Sequence, residues 1–446
     1  MKDQGKKIAV LGAGASGIAA ARLAMAGGAL VCIFDTAPAE SFADRHAELR
    51  QSGIEMRCGQ DALQAPEDLD LIVLSPGIAR DTVLVKNFLA TGTTMVGEIE
   101  FAFQRDQRPV VAITGTNGKT TTTELLTHLL TANGKPAVAA GNYGKPYSEV
   151  VLEQGDWEVV VLEVSSFQLE EIDSFHPQVS VWMNFAPDHM DRYHHLEDYR
   201  QAKLRIFENQ QAEDTAIVKA GEEVGELKAR RMDFSAFGEQ ADFTYDEGKI
   251  LYHGEPVADF RLSQLHGRHN AENVMAAMAA ASVMGVKWES MQQALQDYVP
   301  PAHRCEKVGE VDGVSFVNDS KATNLHALES SLRGQEAPVV LIVGGKDKGL
   351  DYSEITQAVE KQVKHVFAIG EMGERIVELW SERLPCVKKQ SLEQAVMAAF
   401  KVAEKGQVVL FSPGTSSFDM FSGYVERGEN FRNIINQIIT QQGELV

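Results

Sequence analysis

The chain has 446 residues, 44% of them hydrophobic and 24% charged, which is ordinary for a globular protein and long enough for about three domains at roughly 150 residues each. A formal net charge of -21 opposes nonspecific binding to nucleic acid or anionic lipid, so a polyanionic ligand needs a local cationic site. No apolar run reaches the roughly 18 residues of a membrane helix, and Cys32, Cys58, Cys305 and Cys386 are too scattered for a zinc ribbon or a disulfide framework.

In chain order, residues 8–11 read as a buried strand that enters Gly12-Ala13-Gly14-Ala15-Ser16-Gly17, with G-x-G-x-x-G spacing before a helix. That glycine loop after Lys6 and Lys7 argues against a secretory signal, and a cytoplasmic enzyme is expected. Glycines so placed let backbone N–H groups and a helix N-terminus approach a pyrophosphate, and nothing in the loop specifies nicotinamide. A packing turn without a ligand is the alternative. Strands at residues 31–34, followed by Asp35, and at 71–74, followed by Ser75-Pro76-Gly77, extend this first α/β block, which ends near Gly97.

A second block opens with the strand 110–113 and Thr114-Gly115-Thr116-Asn117-Gly118-Lys119-Thr120-Thr121, ahead of a helix. Such a loop cradles phosphate oxygens with its N–H groups, Lys119 offsets β- and γ-phosphate charge, and the Thr120 hydroxyl faces Mg²⁺. The loop departs from G-x-x-x-x-G-K-[ST] in having Ile113 at the first glycine position. Glu163 follows the strand 159–162 and suits either a metal-facing carboxylate or a cap or surface group. Asp188-His189-Met190-Asp191-Arg192 follows the strand 179–182, where the triphosphate loop makes His189 a metal-ligand or acid–base candidate. A helix is expected over 196–209, and its basic residues, Lys203 among them, read as a solvated face. Short strands fall between 233 and 260, then helices at about 271–284 and 290–298. His269-Asn270 and Asn273 begin the first of these and could contact a nucleotide or cap the helix. A third block follows Pro300-Pro301, with strands at 339–343, 363–369 and 408–411. Two glycine loops on separate sheets call for two phosphate-bearing ligands, as in a transferase or ligase.

Across essentially its whole length the chain resembles the ATP-dependent Mur ligases. The motifs are the two glycine loops, Ser75-Pro76-Gly77-Ile78-Ala79, Glu163-Val164-Ser165-Ser166-Phe167-Gln168, the 188–193 cluster, Tyr199 to Lys203, His269-Asn270 with Asn273, His303-Arg304, residues 318–324, residues 344–349 and residues 412–419. The resemblance implies an α/β protein of three domains: a Rossmann-like UDP-sugar domain (1–97), a central P-loop ATPase (98–300) and a C-terminal Rossmann-like domain that brings the amino acid (301–446). It points to the member that joins D-glutamate to UDP-N-acetylmuramoyl-L-alanine through an acyl phosphate, in peptidoglycan synthesis, with ATP and Mg²⁺. Such a protein acts as a monomer, without nucleic acid or membrane insertion.

The resemblance also implies roles. Lys119, Glu163, His189 and Lys203 are catalytic, with Thr120, Glu163, His189 and a carbamylated Lys203 holding metal. ATP is met by Gly115, Thr116, Asn117, Gly118, Lys119, Thr120, Thr121, Asn273, Arg304, Asp319 and Lys321. The UDP-substrate is met by Gly14, Ala15, Ser16, Thr36, Gly77, Asn142, Ser165, Gln168 and His189, and D-glutamate by Thr323, Lys348, Ser417 and Phe418. Ala37 stands where some relatives carry an arginine near uracil, and Lys346 is the neighbouring candidate to Lys348. The sister ligase that adds alanine and folylpolyglutamate synthase are alternatives. The Ser416-Ser417-Phe418-Asp419 segment counts against the first and the N-terminal domain against the second, and the absence of Asp-Asn-Pro-Arg counts against the diamino-acid-adding member. A nicotinamide oxidoreductase or a noncatalytic nucleotide switch would leave most of the motifs unexplained.

Overall fold

The computed structural model describes all residues except 1, 43–48, 50, 189–191, 194, 301, 336 and 444–446, and the side chains of 326 and 441–443. His189 therefore lies outside the described residues. The rest is α/β, with three sheets.

The first sheet contains β1 (Lys7–Leu11), β2 (Leu30–Asp35), β3 (Glu55–Cys58), β4 (Leu71–Leu74) and β5 (Met95–Gly97) in the order β3-β2-β1-β4-β5. All its pairs are parallel. The strand order reverses at β1, so the loops after β1 and β4 leave in opposite directions and open a crevice at the carboxyl edge.

The second sheet contains β6 (Val110–Thr114), β7 (Ala137–Gly141), β8 (Val159–Glu163), β9 (Val179–Trp182), β10 (Thr215–Lys219), β11 (Arg230–Ser235), β12 (Phe243–Asp246), β13 (Lys249–Tyr252) and β14 (Glu255–Asp259). Its order is β14-β13-β12-β11-β10-β9-β6-β8-β7. Strands β6 and β8 are buried at every position, as continuous β-branched runs must be when helices cover both faces. Here too the chain reverses around one strand, β6, which pairs in parallel with β8 and β9.

The third sheet contains β15 (Glu306–Val311), β16 (Val314–Asn318), β17 (Val339–Gly344), β18 (Val363–Ile369), β19 (Cys386–Lys388) and β20 (Val408–Phe411), in the order β15-β16-β20-β17-β18-β19. Only β15 runs antiparallel, to β16.

Contacts group the chain into two compact units, residues 1–244, 251–258 and 273–295, and residues 245–250, 259–272 and 296–446. Within the first unit the first two sheets are fastened by buried polar groups. The Glu100 carboxylate accepts from the N–H groups of Asp173, Ser174 and Phe175 at 2.8–3.1 Å, and Arg105 pairs with Asp3 at 2.6 Å. The expected helix over 196–209 is α-helical from Leu196 to Leu204 and then tightens into a 3₁₀ turn, Arg205–Phe207. The two later helices span Arg268–Val283 and Trp288–Asp297. No helix among the described residues is long and apolar enough to cross a membrane.

Candidate active site

In the first unit the loop after β6 is held at Thr116 and Asn117 by one asparagine. Asn117 N–H donates to the Asn184 side-chain oxygen at 2.9 Å, the Asn184 side-chain amide donates to Asn117 O at 3.1 Å, and Thr116 N–H donates to Asn184 O at 2.9 Å. Thr116 Oγ1 adds a bond to Ala186 O at 3.1 Å. Gly118 has φ +83°, and a Cβ there would sit 2.4 Å from Asn273 Oδ1, so the turn needs glycine and brings Asn273 against the loop. The helix Lys119–Ala132 starts at this turn and aims its N-terminus at the loop's concavity.

Lys119 Nζ donates to Gly115 O at 2.8 Å and Thr116 O at 2.9 Å. Lys203 Nζ also reaches Gly115 O, at 2.9 Å. The residue expected on a solvated helix face is only 2% exposed. The cause is the aromatic surface beside it: its helix presents Tyr199 to Phe185 and Tyr193, with ring centroids 5.3 and 5.2 Å away, and Lys203 Nζ lies 4.9 Å from the centre of the Tyr199 ring. Burial, reinforced by Lys119, holds the Lys203 ammonium well below the usual lysine range, while Asp188 and Glu163 pull the other way.

Glu163 ends β8 directly opposite Ile113 of β6. It is 3% exposed, and Ser165 caps the following short helix, so Glu163 is neither a surface group nor the cap. One oxygen accepts from the Asn142 side-chain amide at 2.7 Å, and the other, Oε2, is buried without a partner. That orphaned oxygen, together with the Thr120 hydroxyl in the first turn of the helix Lys119–Ala132, offers hard-oxygen donors of the kind Mg²⁺ takes. The described residues hold no cluster of three or more acidic, His or Cys side chains that would make a protein-only metal cage.

Around the first sheet, Gly17 packs so tightly that a Cβ would lie 2.0 Å from Gly12 O and 2.6 Å from Ser75 Oγ. The Asp35 carboxylate accepts from Ala13 N–H at 2.8 Å and Ala37 N–H at 2.9 Å, and so braces the loop from beneath. Gly14, Ala15, Thr36 and Gly77 are exposed and Ser16 is half-buried at this edge, with Gly14 and Ala15 opening the helix Ala15–Ala26. Asn142 is also exposed. Gln168, by contrast, is buried, and its side-chain oxygen lies 3.0 Å from Ser165 N–H in a reciprocal capping box. Arg192 donates to Pro76 O at 3.0 Å and stacks 3.9 Å over the Phe167 ring, tying the turn after β4 to the middle sheet.

In the second unit, loops at the carboxyl edge of the third sheet carry the remaining candidates. Asp319 is fully used inside the fold: Oδ1 accepts from Cys305 N–H at 3.2 Å, and Oδ2 from Ser412 Oγ at 2.8 Å and from Ser331 Oγ. It therefore holds the segment that presents Arg304. Lys321 and Thr323 are half-buried, Ser417 is buried, and Lys348 and Phe418 are exposed, Phe418 at 67%. Lys346 pairs with Glu371 at 3.7 Å, whereas Lys348 has no ion pair among the described residues.

Asn184, Asp35 and Arg192 were not singled out from sequence as site residues. Asn184 lies two residues beyond β9 and Asp35 ends β2, each at a carboxyl edge, which is the signal that could have found them.

The chain matches the Mur ligase MurD-like N-terminal domain over residues 6–97, the Mur ligase middle domain over 113–281 and the Mur ligase glutamate ligase domain over 303–414. It is 40% identical to the UDP-N-acetylmuramoylalanine–D-glutamate ligase of Salinibacter ruber, over 96% of this chain and 97% of that one. It is 39% identical to the enzyme of the same name from Syntrophotalea carbinolica, over 96% of each. Among solved structures, the UDP-N-acetylmuramate-alanine ligase MurC of Thermotoga maritima superposes with a TM-score of 0.56 at 18% identity, covering 97% of this chain and 99% of that one. The chain belongs to the Mur ligase family.

Proposed function

We infer that the chain is an ATP-dependent ligase that joins D-glutamate to UDP-N-acetylmuramoyl-L-alanine, giving the alanyl-D-glutamate product, ADP and phosphate in peptidoglycan synthesis. Near-full-length similarity to curated ligases of that name supports the substrates. The observation that carries the chemistry is that Lys119 and Lys203 share one phosphate-loop carbonyl, with the orphaned Glu163 oxygen on the strand paired beside that loop.

We propose three functional regions: residues 1–97 for the UDP-substrate, 98–300 for ATP and 301–446 for D-glutamate. In the first, the N–H groups opening the helix Ala15–Ala26 receive the pyrophosphate, with Ser16, Thr36 and Gly77, and Asn142, Ser165, Gln168 and His189 of the second region, completing recognition. In the second, residues 115–121 and Asn273 receive ATP, and Arg304, Asp319 and Lys321 of the third region are nucleotide contacts, Asp319 acting through the Arg304 segment it holds. Lys119 leaves its carbonyl partners for the β- and γ-phosphates, whose charge it offsets as the γ-phosphoryl moves to the alanine carboxylate. Thr120, Glu163 and His189 would hold Mg²⁺, which when bound offsets phosphate charge. A neutral Lys203 amine adds to CO₂ with loss of one proton, and the resulting carbamate replaces a cation that would repel the metal.

In the third region, Thr323, Lys348, Ser417 and Phe418 orient D-glutamate so that its neutral amine attacks the acyl phosphate carbon. The tetrahedral adduct expels phosphate and loses a proton to leave the amide, and the exclusion of water from the site protects the acyl phosphate meanwhile. The test is to incubate the protein with ATP, Mg²⁺, UDP-N-acetylmuramoyl-L-alanine and D-glutamate and to weigh the products. A new species equal to the two substrates joined with loss of water, in step with ADP, is expected. ATP hydrolysis with no joined product would overturn the reading.

A further inference from the structure

Arg427, in the helix Tyr424–Gly443, is 1% exposed and forms no ion pair among the described residues. Burial lowers its pKa to about 10, with Asp419, Tyr352 and Asp319 acting in the other direction. A charge kept in that setting costs stability unless something else is gained.

Its bonds indicate what is gained. Nε donates to Ser320 Oγ at 3.1 Å, and Nη2 donates to Ser320 O at 2.8 Å and Thr415 O at 3.1 Å. Ser320 lies in the loop after β16 that carries Thr323, and Thr415 in the loop after β20 that carries Ser417 and Phe418. The third loop, after β17, carries Lys348 and passes against the same guanidinium: a Cβ on Gly345 would lie 3.2 Å from Arg427 Nη1. Thr415 Oγ1 donates to Lys346 O at 2.7 Å and Lys346 N–H to Ser416 O at 3.0 Å, which couples the second loop to the third. Nη1 itself is buried with no partner. One planar fork thus bonds to or packs against every loop that bears an expected D-glutamate contact, and no carboxylate among the described residues forms an ion pair with it.

We propose that Arg427 is a positioning residue for the amino-acid site, setting the relative placement of the loops after β16, β17 and β20. The proposal rests on the ligase reading above. The wild-type enzyme is therefore assayed first for D-glutamate-dependent phosphate release, and failure there defeats the ligase reading rather than this role.

The variant is Arg427→Lys, which keeps the charge but cannot span two carbonyls and a hydroxyl. The expected result is a KM for D-glutamate raised roughly tenfold, with kcat at saturation and KM for the UDP-substrate within about twofold. An unchanged KM for D-glutamate, or a uniform loss in every parameter, would overturn the role. If Arg427→Lys does not fold, Ser320→Ala removes the Nε acceptor, together with the bond from Ser320 Oγ to Tyr424 O at 2.8 Å, and should raise the same KM roughly threefold, and no change there would overturn the role as well.

Discussion

The two glycine loops of the first unit follow the same plan, strand then loop then helix at a point of strand reversal, yet they are built for different work. The loop after β1 has no cation in it; its amides are braced by Asp35, and it offers an anion only backbone N–H groups and a helix end. The loop after β6 has two lysines on one carbonyl, Gly115 O, with a buried unpartnered carboxylate oxygen at the neighbouring strand end. A loop that only holds a pyrophosphate can rely on fixed dipoles. On the proposed function, the loop from which a phosphoryl group departs needs mobile and adjustable charge, and both lysines here rest on loop carbonyls.

The sharpest way to break this contrast is Lys119→Ala. Turnover should fall by at least about 10³-fold while binding of the UDP-substrate, measured by calorimetry, stays within about twofold. Near-normal turnover would remove the distinction between the loops.

Next in size is Lys203→Met, for which turnover should drop by roughly 10²-fold or more. Stability should move the other way, because an apolar side chain replaces a buried amine, with a gain of about 1–4 kcal/mol near neutral pH. The sign follows from linkage. The folded-state pKa of Lys203 is depressed, so between that value and the unfolded value the unfolded chain binds the extra proton and wild-type stability rises with pH. The variant's advantage should therefore be full below the folded pKa and vanish as pH approaches the ordinary lysine value. Denaturant melts across that range would show it, and a constant difference would contradict the burial argument.

Asp35→Asn tests the other loop. It turns one of two acceptors toward an N–H that already donates, so KM for the UDP-substrate should rise about tenfold with kcat within roughly threefold. A kcat effect of the Lys119 kind would mean that the first loop takes part in chemistry. The smallest expected effect is Asn184→Ala, which removes the two side-chain bonds to Asn117 and should raise KM for ATP roughly threefold.

Much of this was legible from the sequence because it rests on local rules. The β-branched runs of β1, β6, β8 and β17 and the Gly-Lys-Thr turn at 118–120 predict strand, loop and helix in place. Strands without such runs were not legible: Glu55–Cys58 alternates charge with Met and Cys, Ala137–Gly141 is mostly alanine and glycine, and both form sheet edges. Each is an edge strand paired only with the strand next to it in chain order, β3 with β2 and β7 with β8, and its own residues carry no strand pattern.

Site residues divided in the same way. Lys119 follows from its motif, but Lys203 stands on a helix whose first turn is acidic and whose composition suggests solvent; only the rings of Tyr199, Tyr193 and Phe185 explain its burial. Asn184 and Arg427 act on backbone carbonyls and amides far away in the chain, which no spacing encodes. Asp319 shows the reverse case, in which the motif is plain and the structure turns the carboxylate inward to hold Arg304's segment.

The most direct test of the central claim is the initial rate of phosphate release from ATP with UDP-N-acetylmuramoyl-L-alanine present, comparing D-glutamate with L-glutamate, L-alanine and a diamino acid. The account predicts release that depends on D-glutamate alone. Release driven by another of these amino acids, or by none, would contradict it.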